Sequence, residues 1–320
     1  MPAKPLNDAQ IGGLFLFNNM KIAYTKPVLS YPEQVSLLKK RGLIIPDDDF
    51  AEHTLSHVNY YRLSAYMFPF LEDKPNHIFK NGTEFQNILD LYAFDKGLRS
   101  LVFSAIAEIE VSVRTNILYE LAYNYGAFWI TNNSIFYNQK RYSSHLSKLK
   151  DELARSDEEF LVHFFSKYSD EIPPVWMSLE IASFGTISQL FENINVRKIQ
   201  KNVAKLYNLP YQVFSSWIHT LAYVRNLSAH HARLWNRRLG VIPVLPKAEI
   251  TGWLENLEIN NKRIYIVISI ISHFLSIISP TNDFISKFKS LLSKYPHTDV
   301  TAMGFPKGWE RELVFKQEAE

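Results

Sequence analysis

The sequence predicts an all-α fold, and three observations carry that expectation. From Thr83 to Tyr125 the chain runs without a proline, and Ile88, Leu91, Leu98, Val102, Ala105, Ile109 and Val113 recur at helical spacings, as on a helix with one face in a core. From Ile264 to Ile278 an almost wholly apolar run is interrupted by His273. No alternating apolar–polar pattern of useful length marks a strand. With 320 residues, 47% of them hydrophobic and 14% aromatic, the chain can build one large core or two smaller ones.

Taken in order, residues 1–25 read as a detachable, disordered extension, and Met20 is a second candidate for the start of translation. Ser30-Tyr-Pro-Glu33 has the form of a capping box with Pro in the first turn, ahead of Val35, Leu37 and Leu38, and Gly42 stands where a C-terminal stop belongs. Asp47, Asp48 and Asp49 suit the positive end of a second helix better than a metal. Thr83-Glu-Phe-Gln86 is a second capping box, which opens the long run to Tyr125 with Gly97 inside it. Residues 126–175 are irregular, with Asn132-Asn133 and Pro173-Pro174 as breakers. A helix is expected from Trp176 to Ile194, bent at Gly185. Another should start at Pro210, run through Trp217, Leu221 and Val224 into the segment around Arg225, and end by Gly240 and Pro243. Asn256 to Leu275 is read as the last long helix, with a mixed polar tail behind it. The resulting division is 26–82 for an N-terminal helical part, 83–295 for the main helical domain with an irregular insertion at 126–175, and 296–320 for the tail.

Cysteine is absent, which excludes disulfides, thiolate metal sites and a cysteine nucleophile, and suits a reducing cytoplasm. The N-terminus lacks the basic-then-apolar order of a secretory signal. The run Ile264–Ile278 falls short of the roughly 20 apolar residues that span a bilayer, so it reads as a core helix and no membrane partner is expected. The formal charge of +3 hides a strong asymmetry. Between Asn193 and Ala248, 56 residues, there is no Asp or Glu, while Arg197, Lys198, Lys201, Lys205, Arg225, Arg233, Arg237, Arg238 and Lys247 supply nine positive charges. The rest of the chain is therefore at −6. A merely solvated face would intersperse acids, so this asymmetry points to a polyanionic partner.

No phosphate-cradling glycine loop, dinucleotide turn, zinc-binding His pair or nucleophile elbow occurs. What remains is Tyr223-Val-Arg225-Asn226-Leu-Ser-Ala-His230-His231-Ala-Arg233-Leu-Trp235-Asn236-Arg237-Arg238. On a helix Asn226 and His230 share a face, with Arg225 one step round. A guanidinium can hold a phosphate oxygen and stabilise developing charge, and an imidazole can pass protons to and from ribose oxygens near neutral pH. With the ribose 2′-hydroxyl as nucleophile no metal or other cofactor is required. The candidate catalytic residues are thus Arg225, His230 and Asn226. His231 is a supporting candidate, and Arg233, Arg237, Arg238, Arg197, Lys198 and Lys201 are candidates for holding RNA. The spacing alone is weak evidence, since an Arg and a His five apart also pair or cap within ordinary bundles.

Arg225-Asn226-x-x-x-His230 resembles the R-x4-6-H signature of HEPN ribonucleases. The wider sequence resembles the AbiD/AbiF-like abortive-infection family through Lys26-Pro-Val-Leu-Ser30, Asn59-Tyr-Tyr-Arg-Leu-Ser-Ala-Tyr66, Leu91-Tyr-Ala-Phe-Asp95, Glu108-Ile-Glu-Val-Ser-Val-Arg114, Pro173-Pro-Val-Trp176, Ser183-Phe-Gly185 and Val224–Arg237. The resemblance implies a HEPN-type helical bundle and a homodimer in which two such motifs meet. It further implies metal-independent RNA cleavage leaving a 2′,3′-cyclic phosphate, and a toxin-like role in phage defence under a structured non-coding RNA. Proteins of this kind often set a polar residue of an earlier helix near the catalytic His, a position that Glu110 with Arg114 would suit. As plain i, i+4 pairs, Glu110–Arg114 and Asp95–Arg99 would each support a helix by only a few tenths of a kcal/mol. Tyr60 and Arg62 could clamp RNA, though aromatic packing explains that segment as well. The rival reading is a non-catalytic RNA-binding or phage-sensing helical module.

Overall fold

The computed structural model describes residues 27–316 together with Ala23 and Thr25, so the expectations for the N-terminal extension and for Met20 lie almost wholly outside the described residues. The chain forms two compact units, one up to Phe85 and one from Gln86 onward. Both are built from helices, and the fold is all-α.

In the first unit, α1 (Tyr31–Lys40) opens where Ser30 donates both its N–H and its hydroxyl to Glu33 Oε2, each at 2.7 Å. It ends as glycine chemistry dictates: Gly42 takes φ +88°, and Leu43 N–H bonds back to Leu38 O at 3.1 Å. α2 (Asp48–His57) is capped by Asp47, which accepts Phe50 N–H at 2.9 Å, while Asp48 pairs with Lys39. The acidic triplet thus serves a helix start. Asn59 caps α3 (Tyr60–Met67) through Tyr61 N–H at 2.7 Å. A short hairpin follows, β1 (Leu71–Asp73) antiparallel to β2 (Ile78–Phe79), with His77 at φ +56° in its turn. Strands of three and two residues are too short to leave an alternating signature, so this element was not foreseen.

The second unit is organised by α4 (Phe85–Tyr125), 41 residues without a break. Every apolar position of its expected stripe is buried. Its entry differs from the expected capping box: Thr83 donates its hydroxyl to Lys80 O, and the Gln86 amide turns to Asp90. The stretch expected to be irregular contains two regular helices, α5 (Gln139–Ala154), capped by Asn138, and α6 (Glu159–Lys167). The single helix expected over Trp176–Ile194 is two, the one-turn α7 (Val175–Ser178) and α8 (Phe184–Asn193). After α9 (Arg197–Lys205), α10 (Tyr211–Ala229) starts from Pro210 as expected and packs against α8, α9 and α11 (Ile264–Ile278). α11 begins at Ile264 rather than Asn256, and α12 (Phe284–Lys294) follows it, so the tail is more structured than its composition suggests.

Every residue of α11 from Ile264 to Leu275 is buried, which is why the run is apolar all round. Several of its polar groups are met by its neighbours: His273 Nε2 lies 2.9 Å from Tyr207 O, and Ser269 O accepts the Trp253 indole N–H at 3.1 Å, while the buried Tyr265 hydroxyl has no hydrogen-bond partner. Burial holds His273 below the ordinary histidine range, so it sits in the core as a neutral ring edge-on to Trp217. Among the described residues no helix is long and apolar enough to cross a membrane.

Candidate functional site

α10 delivers the Arg225 segment, and the way that helix stops determines the segment's shape. It ends at Ala229 with His230 as its C-cap, not at Gly240. His231 N–H bonds to Ser228 O at 3.1 Å and Ala232 N–H to Leu227 O at 2.9 Å, the paired closure of a Schellman motif. His231 occupies the position glycine usually takes there, at φ +56°. A side chain in that region costs about 1 kcal/mol, so the turn is held by something beyond local preference. Asp95 on α4 is that agent: its Oδ1 accepts the backbone N–H groups of Leu234 at 3.0 Å and Trp235 at 2.6 Å. Asp95 is fully buried and forms an ion pair with buried Arg99. The pair therefore anchors the segment after the helix, a larger role than the helix-surface support expected from its spacing.

Arg225 emerges one turn before the end of α10. Its Nε lies 3.6 Å from Glu110 Oε2, its guanidinium stands 5.8 Å over the Phe103 ring, and its Nη1 donates to Asn226 Oδ1 at 3.3 Å. A third of the side chain stays exposed. Glu110 is buried and has a second cationic partner, Arg114 Nη2 at 3.0 Å. Burial pushes the Glu110 carboxyl above the ordinary range, while Arg225, Arg114 and the Phe184 N–H pull it back. Arg114 continues outward to Ala182 O at 3.1 Å and to the exposed Glu180 at 3.6 Å. A carboxylate buried between two guanidiniums thus joins α4, α10 and the turn before α8. His230, Asn226 and His231 are exposed at the end of α10.

Glu110 and Arg114 were expected near the catalytic His; the contact found is between Glu110 and Arg225, with Arg114 joined to it through the same carboxylate. Phe103, Glu180, Ala182 and Phe184 were not foreseen as surroundings of this cluster; the only signal for the last was the Ser183-Phe-Gly185 motif. The basic stretch is free of acids in sequence but not in space, since Glu110 comes to Arg225 and Glu120 Oε1 accepts from Asn202 at 2.6 Å. Arg238 is exposed, Arg233 and Arg237 are half-buried, and the Arg237 Nε is buried without a hydrogen-bond partner. Arg197, Lys198 and Lys201 are exposed on α9, by the N-terminal end of α10. Tyr60, in the first unit, is half-buried and accepts from Arg41 Nη1 at 2.6 Å; Arg62 is also half-buried. Among the described residues no three His, Asp or Glu side chains gather as a metal site.

An all-α unit with an Arg–Asn–x–x–x–His helix terminus, braced from beneath by a buried carboxylate, is the class of protein that fold and site define. The particular family follows from comparison: the family model described as Abi-like protein matches residues 53–236, and the chain belongs to this abortive-infection family. The match contains Asp95, Glu110, Arg114, Arg225 and His230. No curated protein and no solved structure matches the chain.

Proposed function

We propose that the protein is a phage-defence RNA endonuclease of HEPN type, acting in the cytoplasm without a metal. The observation that carries this reading is the arrangement of Arg225: a guanidinium one-third exposed and fixed by Glu110, on the helix whose exposed C-cap is His230. A guanidinium already held in place loses little freedom on meeting a phosphate, so its charge is available where the transition state develops it. In the proposed reaction His230 takes the 2′-hydroxyl proton, the 2′-oxygen attacks the phosphorus, the bond to the 5′-oxygen breaks, and the imidazolium returns the proton to that oxygen. The products are a 2′,3′-cyclic phosphate and a 5′-hydroxyl. Asn226 orients Arg225 through its side-chain oxygen, and Arg233, Arg237 and Arg238 hold the backbone. The exposure of Asn226 and His230 suits a homodimer in which two helix ends face one scissile bond. Cleavage of RNA in an infected cell would halt growth before phage are made, and a structured non-coding RNA would restrain the toxin beforehand.

The test is cleavage of labelled RNA in EDTA by the wild type, Arg225→Ala and His230→Ala, with the product ends identified. Loss of at least about 10²-fold in both variants is the expected result. Cleavage undiminished in both, or binding without cleavage in all three proteins, overturns it, the latter in favour of a non-catalytic RNA-binding module.

A further inference from the structure

A concave region lies at the end of α10 opposite to Arg225. Tyr211, its first residue, and Arg225 are 14 positions apart, or about 21 Å along the axis at the helical rise per residue. Two hollows meet there, with Pro210 and Gln212 lining both. The first, about 560 Å³, is lined by Arg197 and Lys201, one turn apart on α9, and by Tyr211. Arg197 is set in place twice over: its guanidinium stacks on the Tyr211 ring at 4.4 Å, and its Nη1 donates to Gln200 Oε1 at 2.7 Å. The second, about 870 Å³, is lined by apolar residues that include Val213, Val244, Leu245 and Ile250, and by polar ones that include Asn208, Lys247 and Thr251. Two acids come near this region. Glu249 lines the second hollow, and Glu120 bonds Asn202 on α9; neither lines the hollow of Arg197 and Lys201.

We propose that this groove binds a phosphorylated nucleoside unit, its phosphate on Arg197 and Lys201 and its base in the apolar hollow beside Pro210. An ordered, stacked guanidinium with a lysine one turn away presents the forked and point-charge donors that phosphate takes. The adjoining apolar volume lies within the roughly 300–1,000 Å³ of small-molecule sites and accepts a flat base without reading its edge closely. The unit comes either from a free nucleotide or from a nucleotide within an RNA strand. The groove stands apart from Arg225 and does not depend on the nuclease reading.

The experiment measures binding to the full chain by titration calorimetry, with a 5′-mononucleotide, the matching nucleoside, inorganic phosphate and a short single-stranded RNA as probes. Wild type, Arg197→Gln, Lys201→Gln and Lys96→Gln are compared, with thermal melting to confirm that each variant is folded. The mononucleotide or the RNA should bind, and each α9 substitution should weaken it about tenfold, as loss of one charge-assisted contact does. Lys96→Gln, at an exposed position on α4 far from α9, should leave mononucleotide binding unchanged. Binding of both probes assigns the groove to free nucleotides as well as strands; binding of the RNA alone, still sensitive to Arg197 and Lys201, assigns it to the strand. The proposal falls if neither probe binds, if both α9 variants bind like the wild type, or if nucleoside or inorganic phosphate binds as tightly as the nucleotide.

Discussion

The carboxylate of Asp95 accepts the backbone N–H of Trp235 at 2.6 Å, across 140 positions of sequence. The same oxygen takes Leu234 N–H, and the other is ion-paired with Arg99. One buried side chain thereby sets the path of the segment that leaves His230.

Asp95→Ala should destabilise the protein by about 3–5 kcal/mol, because it strands a buried guanidinium and two backbone donors together. Replacing both partners, Asp95→Ala with Arg99→Met, should recover part of the loss, since no uncompensated charge then remains. Denaturant unfolding of the single and double variants measures both; a double variant no more stable than the single would contradict the account.

Glu110 carries a pH signature. Its carboxyl is raised, first by burial, so the folded protein holds this proton more tightly than the unfolded chain does. Its contribution to stability is then complete below the ordinary value of 4.5 and is lost as pH rises through the raised value. Glu110→Gln cannot titrate. Its stability relative to wild type should therefore climb as pH rises from about 4.5 through the raised value. Urea melts across that window read the difference, and a flat or falling one would refute the assignment.

His231→Gly separates strain from chemistry. Glycine relieves the left-handed backbone at the end of α10, for an expected gain of up to about 0.5 kcal/mol after its greater unfolded-state freedom is counted. RNA cleavage should survive the change if Arg225 and His230 are the reacting pair. A stable but inactive variant would move the proton-transfer role to His231.

Gly97 tests packing on α4. An added Cβ there would lie 2.7 Å from Leu291 Cδ1 on α12. Gly97→Ala should accordingly destabilise by about 1–2 kcal/mol, the clash outweighing the better helix propensity. In a Leu291→Ala background the same substitution should change sign and stabilise by about 1 kcal/mol, as alanine does over glycine within a helix. The double-mutant cycle by thermal unfolding decides it.

The parts of this fold that were legible in the sequence are those fixed by near neighbours. Ser30 with Glu33, Asp47 ahead of Phe50, Pro210 ahead of α10 and the α4 stripe all act within a few residues, and each reads correctly. The misread elements are governed from far away. Nothing near His230 forbids more helix before Gly240; the helix ends where it does because Asp95 captures Leu234 and Trp235. The break between α7 and α8 has a similar origin, with Arg114 taking Ala182 O while Ser183 caps α8 through Thr186 N–H. At the candidate site, the residue types on α10 and the Glu110–Arg114 pair were readable. Their convergence was not, because it depends on which face of α4 meets α10.

Asp95 and Glu110 stand 15 positions apart on one unbroken rod, which sets their separation at about 22 Å. The first grips the chain after His230 and the second steadies Arg225. A partner that slid or rolled α4 would shift both grips in the same stroke, so Arg225 and the segment after His230 would be moved as a unit, not one residue at a time.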